Sequence, residues 1–158
     1  MDSEAKIYIN RALNELSMAE VALSISNSMK LKEILQIDRE ITYYSAVISH
    51  AYYSIFYTAK AILLTKGIKT ESPSIHKKTF DAFKKEFVET GILDVKLLEI
   101  YREIVVRADT LLEIFKDEKW KRGHFTYSTI SEANLEPAEQ SVKRAKIFIA
   151  NIRNVLKA

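Results

Sequence analysis

The chain has 158 residues, 47% of them apolar, a size and composition that suit one domain with a continuous core. Three glycines and two prolines are too few turn signals for a sandwich or barrel of many short strands, which leaves helices. No cysteine is present, so disulfides and thiolate metal sites are excluded, and a net charge of +3 with acids and bases interspersed does not demand a nucleic-acid partner.

From Ser3, which is placed to cap it, a first helix carries Ile9, Ala12, Leu13, Leu16, Ala19 and Leu23 at spacings of three and four, the stripe of a helix that buries one side. The pattern loosens over 26–30, and the sequence leaves open whether 31–37 continue this helix or form a separate turn. Between 41 and 65 the only charged residue is Lys60, so this segment is predicted to be the central helix. Its length would span a bilayer, but Thr42, Ser45, Ser49, His50 and five tyrosines make it too polar for hydrocarbon. Gly67 is placed to end it in a left-handed turn. Ser72-Pro73 reads as the N-cap and first-turn proline of a third helix with Ile75, Phe80, Phe83 and Phe87 on its apolar side and Gly91 at its close.

Asp94 is placed to cap a fourth helix, where Leu97, Leu98, Tyr101, Ile104, Val105, Ala108, Leu111, Leu112 and Phe115 make the clearest apolar face in the chain. The stretch 116–129, with Trp120 and Gly123, reads as a loop. A last helix follows near Pro137 with Ala138, Val142, Ala145, Ile149, Ile152 and Leu156 inward. The expected fold is therefore all-α, an antiparallel up-and-down bundle of four to five helices forming a single domain over 1–158. No heptad seam persists long enough for a coiled coil. From 116 onward nine Lys or Arg stand against five Asp or Glu, an asymmetry that permits weak attraction of phosphate.

Candidate chemistry is concentrated in few places. His50, His76 and His124 include no pair at helical ligand spacing, so neither metal nor cofactor is expected. Tyr43, Tyr44, Tyr52, Tyr53 and Tyr57 crowd the central helix. Tyr52 falls on the Ile48, Ile55 and Ala59 side and is expected in the core, its hydroxyl requiring a partner. Tyr53 and Tyr57 share another side with His50, a neutral aromatic strip that suits either a core or dimer surface or a ligand site. Arg107 and Asp109 fall on opposite borders of the fourth helix's stripe, each beside a different neighbour. An arginine so placed can grip a phosphate or a carboxylate. His76, with Lys77 and Lys78 at the start of the third helix, offers a place for a phosphate. The start Met1-Asp2-Ser3-Glu4 lacks the basic-then-apolar pattern of a secretory signal, which points to a cytoplasmic protein.

The run Ser49-His50-Ala51-Tyr52-Tyr53-Ser54-Ile55-Phe56, with Ala59, the apolar stretch 61–64, Gly67, His76 and the Phe80/Phe83/Phe87 helix, resembles the HEPN superfamily, and more narrowly its small prokaryotic branch. The resemblance continues through Arg107-Ala108-Asp109 and Ala145-Lys146-Ile147-Phe148-Ile149, and covers about 45–156. It implies a helical bundle, commonly a homodimer, often encoded beside a minimal nucleotidyltransferase as a toxin–antitoxin pair. Catalytic members are metal-independent ribonucleases with an arginine followed, after four to six residues, by a histidine. Counting from Arg107, that histidine would fall at Leu112, Glu113 or Ile114, and no other arginine here has one at the required distance. The usual proton shuttle is thus missing. His50 stands where relatives often carry an arginine. The expectation is a binding module that dimerises, joins a nucleotidyltransferase and binds a nucleotide or RNA through Arg107, Asp109, His50, Tyr53, Tyr57 and His76. The rival is a ribonuclease toxin with a displaced histidine, for which Arg107 and His50 are the catalytic candidates.

Overall fold

A computed structural model describes residues 1–112 and 134–157; the expected loop at 116–129, with Trp120 and Gly123, and Phe115 of the fourth stripe lie outside them. The described residues form helices α1 (Ser3–Asn27), α2 (Met29–Ile34), α3 (Tyr44–Leu64), α4 (Ile75–Phe83), α5 (Val95–Leu112) and α6 (Leu135–Lys157), with a π-helical turn, Lys84–Val88, continuing α4. The all-helical bundle is as expected. None of the described helices is long and apolar enough to cross a membrane.

Helix α3 is the axis, packed by α1, α4, α5 and α6. It tolerates burial on nearly every side because its small polar residues satisfy themselves. Ser54 donates its hydroxyl to the Ala51 carbonyl at 2.6 Å, and Thr58 to that of Ser54 at 2.7 Å. Along α1, Ala5, Ala12, Ala19 and Ser26 recur every seven residues and are buried, so the helix presents a seam of small side chains to its neighbours. Ser26 also accepts the Tyr43 N–H at 2.7 Å, which fixes the chain where it enters α3.

Two caps differ from expectation. Ser3 is the first helical residue; Asp2 stands at the N-cap and takes the Ser3 hydroxyl at 3.4 Å, so no side chain bonds the first-turn amides. Pro73 lies ahead of α4 instead of in its first turn. The Ser72–Pro73 peptide is cis, Ser74 is left-handed at φ 59°, and α4 begins at Ile75. What anchors this entry is Thr70, buried, whose hydroxyl meets that of Thr79 at 2.6 Å. The undecided stretch after α1 is a separate short helix, capped by Ser28, whose hydroxyl accepts the Leu31 N–H. Asp94 does cap α5, accepting the Lys96 N–H at 2.8 Å. Gly67 and Gly91 both take positive φ, and Gly91 donates its N–H to the Val88 carbonyl as the α4 segment closes.

The centre of the core is aromatic. Phe80 meets Tyr101 edge-on with centroids 5.0 Å apart, and Phe83 lies 5.4 Å from Phe148 of α6. These rings join α4, α5 and α6 on one side of α3. Tyr52 is enclosed on α3 itself.

Candidate functional site

The turn of α3 between His50 and Tyr57 aims its side chains at different neighbours. Tyr52 points inward and is fully buried, and its hydroxyl is 2.7 Å from Nδ1 of His76 on the first turn of α4. Burial pushes the Tyr52 hydroxyl pKa well above the ordinary tyrosine value, with Tyr101, Tyr53 and Asp109 adding to it, so Tyr52 keeps its proton. His76 moves the other way: burial lowers its pKa, and the charge of Lys60 lowers it further. The pair is thus neutral near pH 7. With the phenol donating to Nδ1, the imidazole holds its proton on Nε2; with Nδ1–H donating to the phenol oxygen, Nε2 is a free base. In both arrangements the ring is held in one place. Phe56 packs on it at 4.7 Å between centroids and Tyr53 at 6.1 Å.

Tyr53 and Tyr57 are half-buried and lie 6.2 Å apart in a stacked arrangement. Partial burial raises the Tyr53 pKa, followed by the influence of Tyr57 and Glu15. Tyr57 stacks on Tyr8 of α1 at 6.1 Å and carries the Arg11 guanidinium over its face at 4.6 Å. The strip is therefore aromatic, uncharged at its centre and flanked by a cation.

His50 is engaged elsewhere. Its Nδ1 lies 2.6 Å from the Glu15 carboxylate of α1, an interhelical contact about one third exposed on each side. Arg107 turns to α6, where Nη1 donates to Ser141 Oγ at 3.3 Å, and bonds Glu103 one turn back at 2.6 Å. Burial lowers the Arg107 pKa, Glu103 opposes that, and Arg144 adds to it. Asp109 acts on the other border of α5, where its charge is felt by Tyr52 of α3. Of the residues singled out from sequence, the structure gathers Tyr53 and His76 around Tyr52, stacks Tyr57 on Tyr53, ties His50 to α1, and seats Arg107 at the α5–α6 seam.

Sequence reasoning missed Tyr8, Arg11 and Glu15 of α1, the action of Lys60 on His76, and Glu103, Ser141 and Arg144 at the α5–α6 seam. Of these, Glu103 left a signal, its four-residue spacing from Arg107. No group of three or more His, Asp or Glu among the described residues is placed to hold a metal ion.

The sequence that builds this tyrosine-rich central helix, the histidine opening the next helix and the arginine on α5 has relatives. Residues 26–155 match the HEPN domain, and the chain belongs to that family. It is 28% identical over 152 residues to "Putative toxin MJ0605" of Methanocaldococcus jannaschii, covering 96% of this chain and 97% of that one. A second protein of that organism, "Putative toxin MJ0142", is 40% identical over 81 residues, covering 48% of this chain and 53% of its own. A UPF0332 protein of Thermotoga maritima is 36% identical over 112 residues, covering 71% of this chain and 72% of its own. No solved structure is a significant match.

Proposed function

We propose that this HEPN chain is the toxin-side component of a cytoplasmic two-component system: a homodimer that associates with a minimal nucleotidyltransferase and binds a nucleotide on the Tyr53–Tyr57–His76 strip. The observation that carries the binding site is the bond from buried Tyr52 to His76, which holds the imidazole beside the partly exposed Tyr53 ring, itself stacked with Tyr57. A base stacks on such rings, and a fixed ring N–H or lone pair gives it a hydrogen bond. The toxin names of the two Methanocaldococcus relatives support the toxin side. The missing Arg-to-His spacing supports binding over cleavage.

Calorimetric titration of the full chain with AMP and ATP tests the site. Micromolar binding is expected, weakened about tenfold or more by Tyr53→Ala and by His76→Ala. Heat no greater than dilution removes the reading. Co-elution with a nucleotidyltransferase encoded beside it tests the partner, and size-exclusion chromatography with light scattering tests the dimer.

A second reading is favoured by one feature: His76, neutral and oriented by Tyr52, is the better-held histidine for a displaced ribonuclease centre, since His50 is bound to Glu15. It predicts cleavage of RNA without added metal that is lost in His76→Ala. Intact RNA after incubation with the wild type ends it.

A further inference from the structure

The seam between α5 and α6 keeps one antiparallel register. Arg107 meets Ser141, Glu103 meets Arg144, and beyond them Ile100 and Ile147 line a groove of about 400 Å³ that Arg144 also borders. The groove lining also carries Asp94, Lys96 and Glu99, and at its Arg144 end one carboxylate is held by two guanidiniums. Arg107 Nη2 lies 2.6 Å from Glu103 Oε1, and Arg144 Nε lies 3.1 Å from Oε2. Glu103 is the carboxylate that bonds both guanidiniums, and among the described residues the charge of Glu136 is also felt by Arg107.

The three side chains are unequal in exposure. Arg107 is 15% exposed, Glu103 32% and Arg144 41%. Arg107 is the desolvated member, the one for which loss of an anion costs most. Its guanidinium is steadied by Ser141, which is fully buried and donates its own hydroxyl to the Pro137 carbonyl at 2.7 Å. Arg144 faces the groove and is reachable from solvent. Two guanidinium groups converging on the two oxygens of one carboxylate present the donor geometry that also fits two oxygens of a phosphate.

We propose that Glu103 is the built-in occupant of a phosphate-binding site formed by Arg107 and Arg144. In the free protein the carboxylate compensates both arginines; a phosphate group entering from the groove side takes its place. The ligand class is a phosphate group, from a nucleotide or from an RNA backbone. The site deepens the reading of Arg107 as a phosphate-gripping residue. It shares no residue with the Tyr53–Tyr57–His76 strip, so either can fail alone.

The test is calorimetry on the full chain with inorganic phosphate, AMP and a short single-stranded oligoribonucleotide, comparing the wild type with Glu103→Gln, Arg144→Gln and the double variant. Removing the competing carboxylate is expected to tighten inorganic phosphate about tenfold or more in Glu103→Gln, and the gain is expected to vanish in the double variant. The Tyr53–Tyr57–His76 strip contributes the same AMP binding to every one of these variants, so an AMP affinity that rises in Glu103→Gln and falls back in the double variant assigns the seam to a nucleotide, and the same pattern seen more strongly with the oligoribonucleotide assigns it to a backbone. Tyr53→Ala is expected to leave phosphate binding at this seam unchanged. Melting gives the second readout: phosphate should raise the Tm of Glu103→Gln and not that of the double variant. If Glu103→Gln does not fold, Glu103→Asp, which keeps the charge and shortens its reach, is expected to show a smaller gain. A folded Glu103 variant with no gain, or a gain that survives Arg144→Gln, overturns the proposal and leaves Glu103 as a tie between helices.

Discussion

Two polar clusters join helices in this protein, and they are built on opposite terms. The Tyr52–His76 pair links α3 to α4, is neutral, and lies among Phe56, Tyr53 and the core. The Arg107–Glu103–Arg144 cluster links α5 to α6, is charged, and stands between one third and two fifths exposed except at Arg107. A neutral hydrogen bond shielded from water is costly to break, because the partner left behind has no solvent to turn to. Charges near water are screened and exchange partners readily. The first cluster should therefore govern stability and the second should respond to ions.

The sharpest way to break this contrast is to remove Tyr52. Tyr52→Ala deletes a fully buried ring and is expected to cost about 3–5 kcal/mol in urea denaturation. Tyr52→Phe keeps the ring and removes only the hydroxyl, leaving His76 Nδ1 unpaired, with an expected cost of about 1–3 kcal/mol. A Tyr52→Phe protein as stable as the wild type would show that the bond to His76 carries little, and the contrast would collapse.

The pH dependence sharpens it further. His76 has its pKa lowered in the folded state by burial and by Lys60, from an ordinary value of 6.5. As pH falls below that value the unfolded chain takes up the proton first, so the folded state loses stability until pH passes the depressed folded pKa. Above pH 6.5 this contribution is fully present. Stability is thus expected to fall on acidification from about pH 6.5, and His76→Gln is expected to flatten that part of the profile. Chemical denaturation at a series of pH values checks it; an identical slope in His76→Gln would assign the effect to other groups.

Much of this architecture was legible in single stretches of sequence and little of the pairing was. The inward stripes of α5 and α6, the left-handed Gly67 and the Asp94 cap all depend on residues within a turn or two of each other, where helical geometry is decisive. Tyr52 was legible as a core residue in need of a partner for the same reason. That its partner is His76 was not, because the two are 24 residues apart and periodicity says which side of a helix a residue faces, never what faces it. The Glu15–His50 and Arg107–Ser141 contacts, 35 and 34 residues apart, were hidden in the same way. Ser72-Pro73 misled for a different reason. The dipeptide has the form of a helix start, but the buried Thr70–Thr79 contact holds the entry loop so that α4 opens two residues after Pro73.

The smallest expected effect is at the other cluster. A double-mutant cycle between Glu103 and Arg144 should give a coupling below about 1 kcal/mol, because Arg144 is two fifths exposed and Glu103 keeps Arg107 when Arg144 is removed. Raising the salt concentration should shrink that coupling toward zero, while the same cycle between Tyr52 and His76 should hold its value. A salt-insensitive coupling at Glu103–Arg144 as large as that of the tyrosine–histidine pair would mean that the seam is as dry as the core. Glu103 would then be too firmly held for a phosphate to displace.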